Sequence, residues 1–174
     1  MDVILENEIY DEPSYSLARS ASALNIDGLG QRTASILVKL FGIRTILDLF
    51  TWNYEKALSF HPAFTEESAH ILCSNIRGTI GSVCDYNVAD ALNVRGWTAD
   101  MYRKVFTAYP YEAVLRYPSA ISGYSGWPAI LNLEIYVQNN QDYIQKLFNT
   151  INPWRTYDDY NQPQRRRIPA STGA

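Results

Sequence analysis

Leu24-Asn25-Ile26-Asp27-Gly28-Leu29-Gly30-Gln31-Arg32-Thr33-Ala34 is the stretch on which the fold turns. An apolar residue leads into a Gly-apolar-Gly turn, and a helix with a small residue in its first turns follows. Weaker copies centre on Ala63-Phe64-Thr65, Gly96-Trp97-Thr98 and Gly123-Tyr124-Ser125. A phrase that recurs at intervals of about one helix pair shapes the whole fold. Its turn type also points to a ligand. Backbone N–H groups at a helix start, with little side chain in the way, form a phosphate-binding device.

Working outward from these turns, the apolar spacing is helical from about residue 20 to residue 154. Ile36, Leu37, Leu40 and Phe41 predict one apolar face, with Gly42 as C-cap. Ile46, Leu47, Leu49 and Phe50 predict the next, and Ala69, Ile71, Leu72 and Ile76 follow the second turn. Met101, Tyr102, Val105 and Phe106 follow the third, with Pro110 as a stop. Ile130, Leu133 and Val137, then Ile144, Leu147, Phe148 and Ile151, close the core. No stretch alternates convincingly as a strand. The expected class is all-α, with four helix-turn-helix units packed as two pairs. Residues 1–20 read as an irregular acidic leader, 21–154 as the repeat domain, and 155–174 as a mobile polar and basic tail.

The 174 residues suffice for a proper core, and 47% are hydrophobic. No apolar run approaches the ~20 residues that would span a bilayer. The start, Met1-Asp2-Val3-Ile4-Leu5-Glu6, lacks the basic opening of a signal peptide. A soluble, intracellular protein without membrane contact is expected. Cys73 and Cys84 cannot form a zinc cluster alone and read as small buried hydrophobes. Charge is uneven. Residues 1–20 are net −4, residues 21–153 net −1, and residues 154–174 net +2. A near-neutral core argues against tight, purely charge-driven nucleic-acid binding, while local basic patches remain compatible with it.

Gly28 and Gly30 let a phosphate approach the backbone closely. The helix from Gln31 adds its dipole, and Arg32, Lys39 and Arg44 follow. Such a turn grips the sugar-phosphate backbone and positions rather than reads sequence. A tight helix connection is the competing reading. In the later copies Thr65, Thr98 and Ser125 fill the slot of Gly30, and all three are good N-caps. Either the hydroxyl satisfies the helix N–H groups, or it donates to phosphate itself. Glu66 and Glu67 would repel a phosphate at the second turn. Arg95, Arg103 and Lys104 favour binding at the third, and Arg116 is the cation near the fourth. The candidate phosphate-binding residues are Gly28, Leu29, Gly30, Arg32, Arg95, Gly96, Thr98, Gly123 and Ser125. His61 and His70 offer no catalytic constellation, so no catalytic or metal-binding residue is assigned.

Ala23 to Ala34 resembles the opening of the helix-hairpin-helix domain of NAD-dependent bacterial DNA ligases. Phe64-Thr65-Glu66-Glu67-Ser68-Ala69 resembles its second hairpin, and Ala91-Leu92-Asn93-Val94-Arg95-Gly96-Trp97 its third. Ile121-Ser122-Gly123-Tyr124 with Ala129 resembles the fourth, and Asn140 to Ile151 the closing helix. The resemblance covers about residues 20–152. It implies tandem helix-hairpin-helix repeats, four hairpins in two pairs, that grip the minor groove around a nick. The family's nucleophile is a lysine in Lys-x-Asp-Gly. Lys39, Lys56, Lys104 and Lys146 all lack Asp two positions on. The family's four-cysteine zinc module and C-terminal domain are also missing.

The resemblance therefore implies a non-catalytic DNA-binding subunit of a split ligase, binding double-stranded or nicked DNA in replication or repair. A separate catalytic subunit would bind NAD, and this chain would hold no cofactor. A phage genome is one home for such splitting, in bacterial or infected-host cytoplasm. The alternative expectation is a scaffold of the same fold that binds a protein partner. Its anchors would be drawn from 13 tyrosines and from Trp52, Trp97, Trp127 and Trp154. Trp97 and Trp127, at or beside hairpins, either stack on a sugar or partner or pack in the core.

Overall fold

Helices joined by short turns make up the computed structural model, which describes residues 12–121, 123–124 and 127–161. No strand occurs among the described residues beyond an isolated bridge between Cys84 and Trp154, so the class is all-α. The contacts gather into two units, residues 1–77 and 78–174.

Among the described residues of the first unit, the first helix is α1 (Glu12–Ala23). The expected irregular leader is therefore corrected over residues 12–20, which are helical. Ser14, Leu17, Ala18 and Ala21 are all buried, at i, i+3, i+4 and i+7. Serine and alanine give that face little apolar contrast, which hides the period in the sequence. Pro13 sits in the first turn, where a missing N–H costs nothing. Tyr10 and the rest of residues 1–11 lie outside the described residues. Asn25, at φ 59°, ends the helix in a Schellman arrangement. The Ile26 N–H donates to the Ala21 carbonyl at 2.9 Å and the Asn25 N–H to the Ser22 carbonyl at 3.0 Å.

The next helix, α2 (Gln31–Phe41), packs on α1 and buries Ala34, Leu37 and Val38, and Gly42 closes it in the left-handed conformation. Leu40, expected in the core, is 61% exposed. At 3.6 residues per turn, a face through positions 34, 37 and 38 turns position 40 outward. A capping box of Thr45 and Asp48 starts α3 (Ile46–Thr51). Then come α4 (Glu55–Ser59) and α5 (Glu66–Arg77), which packs on α3 and α4 and buries Ala69, Leu72, Cys73 and Ile76.

The second unit contains α6 (Asp85–Asp90), α7 (Ala99–Ala108), α8 (Tyr111–Val114), a 3-10 turn (Pro118–Ala120), α9 (Ala129–Asn139), α10 (Gln141–Ile151) and α11 (Thr156–Asn161). Successive ring contacts run Tyr124, Trp127, Trp97, Tyr102, Phe106, Tyr111, Phe148. Edge-to-face and offset rings of this kind fill a core while adding quadrupole attraction.

Residues 155–161 correct the expectation of a mobile tail from residue 155. The Arg155 guanidinium forks onto Glu112 at 2.6 and 2.7 Å and lies 5.0 Å from the Tyr111 ring centroid. The buried Asp85 carboxylate accepts from the Thr156 N–H at 2.9 Å and its hydroxyl at 2.6 Å. These partners lie far back in the chain, so local composition did not reveal them. Arg165, Arg166 and Arg167 fall outside the described residues. Among the described residues no helix is long and apolar enough to cross a membrane.

Candidate nucleic-acid interface

Gly28, Gly30 and Arg32 are exposed at the first turn, while the Leu29 side chain is buried beneath them. Gly28 stands at φ +85°, a conformation that L side chains resist. Gly30 is extended, at φ −87°, and is the N-cap of α2 without any side-chain bond to the helix. A Cβ on Gly30 would meet nothing within 4 Å. The N–H groups of Gly28, Leu29 and Gly30 donate to nothing among the described residues. The helix start thus leaves its first donors and the positive end of its dipole without a protein partner among the described residues. No ion pair among the described residues involves Arg32.

The third turn shares two positive-φ positions with the first, while the Trp97 N–H, unlike that of Leu29, donates to the Val94 carbonyl at 3.1 Å, and the N-cap Thr98 stands at φ −127° against −87° for Gly30. Asn93 has φ 59° as Asn25 does, and Gly96 has φ +85° as Gly28 does. Trp97 takes the place of Leu29, 3% exposed, with its Nε1–H donating to the Ala129 carbonyl at 2.7 Å. Its ring stacks on Tyr102 at 4.7 Å, so it is a core residue and does not present a face to a sugar or partner. Trp127 is half-buried, and its ring centroid is 5.8 Å from that of Trp97.

Here the helix start is already occupied. The Thr98 hydroxyl accepts from the Met101 N–H at 3.3 Å and caps α7. Asp100 stands in the first turn of α7 and pairs with Arg103 at 2.9 Å and Lys104 at 3.7 Å. The Arg103 hydrogen bond holds the Asp100 carboxyl below its ordinary range. Two cations expected to serve a phosphate are therefore partly neutralised. Arg95, exposed, is in no ion pair among the described residues.

The second turn is closed by side chains. The Thr65 hydroxyl accepts from the Ser68 N–H at 3.0 Å, and the Ser68 hydroxyl oxygen accepts from the Thr65 N–H at 2.8 Å. Glu66 and Glu67 then add negative charge at the start of α5. At the fourth turn Gly123 is exposed at φ +91°. The following helix begins only at Ala129, with Pro128 at its cap. Position 125 is thus not the N-cap expected there, because the chain passes through Trp127 and Pro128 before turning helical. Ser125 itself lies outside the described residues.

Neither histidine belongs to this surface. His61 Nδ1 accepts from the Ala63 N–H at 3.0 Å. His70 bonds Glu55 at 2.9 Å, and that bond holds the Glu55 carboxyl below its ordinary range. Among the described residues no three His, Cys, Asp or Glu side chains gather as a metal site. The structure adds four asparagines to the candidate residues. Asn25 and Asn93 turn the chain, and Asn75 and Asn132 reach the two turns from other helices. Leu-Asn-x-x-Gly, present at 24–28 and 92–96, was the available signal for the first two. Comparison with protein-family models, curated proteins and solved structures gives no significant match.

Proposed function

We propose that this chain is a tandem helix-hairpin-helix protein that binds duplex DNA through its backbone, as the non-catalytic subunit of a split NAD-dependent DNA ligase. One observation carries the reading. The first turn is exposed, uncapped and beside Arg32, and the positive φ angles of its Asn25 and Gly28 recur at Asn93 and Gly96 of the third turn. Phosphate groups suit such a surface because they accept from N–H groups and favour the positive end of a helix. The four hairpins would form two pairs. The first and third turns would grip the minor-groove backbone, while the capped second turn is structural. A separate adenylation subunit would supply the lysine nucleophile and bind NAD, for this chain has no Lys-x-Asp-Gly.

The test is a sealing assay on a nicked duplex with NAD, this chain and a candidate adenylation subunit. Sealing by the mixture and by neither chain alone is expected. A catalytic chain that seals equally well without this one contradicts the proposal.

A second reading is favoured by exposed apolar side chains on α9, where Leu131 is 61% and Ile135 51% exposed. Residues four apart share a helix face. A scaffold that binds a protein partner there would bind DNA weakly and with little salt dependence.

A further inference from the structure

The two turns whose glycines share φ +85° are each touched by an asparagine from another helix. Asn75, on α5, donates its Nδ2–H to the Asp27 carbonyl at 3.1 Å. Asn132, on α9, donates its Nδ2–H to the Arg95 carbonyl at 3.0 Å. Both carbonyls immediately precede the glycine at φ +85°. The register agrees as well. A Cβ on Gly28 would meet Leu72, three residues before Asn75. A Cβ on Gly96 would meet Ala129, three residues before Asn132, and Asn132 itself. Asparagine is a poor helix former, so its recurrence at this register within α5 and α9 calls for a local reason.

We infer that Asn75 and Asn132 are positioning residues that aim the Gly28 and Gly96 N–H groups at a phosphate; this rests on the DNA-backbone reading above. The physical step is short. A trans peptide is planar, and its carbonyl and N–H point in opposite directions. The Asp27 carbonyl and the Gly28 N–H belong to one such plane. Anchoring the carbonyl on α5 turns the N–H away from α5, and the N–H of Gly28 donates to nothing among the described residues. The same holds for Arg95 and Gly96 against α9. Each amide side chain thus fixes the direction of a donor it does not touch.

The test compares the full chain with its Asn75→Ala and Asn75→Asp variants. Three readouts are taken: affinity for a nicked duplex, melting temperature, and the amide resonance of Gly28. Loss of one hydrogen bond is expected to weaken DNA binding roughly three- to tenfold. Asn75→Asp should weaken it more, because a carboxylate faces the carbonyl and adds negative charge beside the phosphate. The melting temperature should move by less than about 5 °C, while the Gly28 resonance is displaced in both variants. An unmoved Gly28 resonance in Asn75→Ala overturns the inference. So does a displaced resonance with unchanged affinity. Failure of the unsubstituted chain to bind the duplex at all overturns the DNA reading, and this inference with it; that control reports it separately.

Discussion

Two glycines two positions apart serve different physical ends. Gly28 is needed for its backbone, because at φ +85° a Cβ is strained whatever the space around it. Gly28→Ala should cost about 1–2 kcal/mol of stability. Gly30 is extended with open space beside it, so its substitution strains nothing. Gly30→Ala should cost about 0.5 kcal/mol, the difference between a fair and a poor cap. Urea unfolding of both variants checks the ordering, and a costlier Gly30→Ala would contradict it. Gly30→Ser makes the complementary test, since it gives the first turn the hydroxyl cap that Thr98 gives the third. Stability should rise by a few tenths of a kcal/mol, while duplex affinity falls as the hydroxyl takes up a helix donor. Equal or tighter binding by Gly30→Ser would show that these donors are not used.

At the scale of elements, the start of α7 is where the third turn is restrained. Asp100→Asn removes a carboxylate beside the turn and releases Arg103 and Lys104. Duplex affinity should rise several-fold, with the salt dependence steepened by about one released counterion per added phosphate contact. A salt series on the variant checks this, and unchanged affinity would leave the third turn without a role in DNA binding. The pH behaviour follows from the lowered pKa. The paired charge is complete above the ordinary aspartate value of 3.8 and is lost as pH falls through the lowered value. Titration of Asp100 should therefore leave affinity flat between about pH 5 and pH 8.

A second element prediction concerns α11. Glu112→Gln breaks the ionic part of the Arg155 fork, whose members are 36% and 53% exposed. Solvent screening limits the expected loss to about 0.5–1 kcal/mol. Hydrogen exchange at residues 155–161 should accelerate in that variant, and an unchanged rate would mean that α11 is held by Asp85 and core packing alone.

These elements also mark what the sequence revealed. The turn at 24–34 and the capped turn at 65–68 were legible because their chemistry is local: glycine, hydroxyl, helix start. α1 was not, because its buried face is mostly serine and alanine. α11 was not, because its anchors Glu112 and Asp85 are distant in sequence. Asn75 and Asn132 were invisible for the same reason, since each acts on a turn outside its own helix. Trp97 was ambiguous in sequence, and only the Ala129 carbonyl and the Tyr102 ring decide that it is core.

For the whole molecule, a net charge of −3 means that the proposed attraction to DNA would have to be local. Arg32 stands at one exposed helix start and Arg95 beside another, whereas Lys39 lies in the last turn of α2 and Arg44 beyond its end. A few phosphate contacts predict a modest negative slope of log affinity against log salt, roughly −0.9 per contact. The most direct measurement is the affinity of the full chain for a nicked duplex across a salt series, alongside Gly30→Val, whose side chain enters open space. Binding that weakens with rising salt and drops in Gly30→Val is the predicted result. Binding that is absent, or indifferent to both salt and the substitution, would contradict a phosphate-gripping first turn and favour the protein-binding surface on α9.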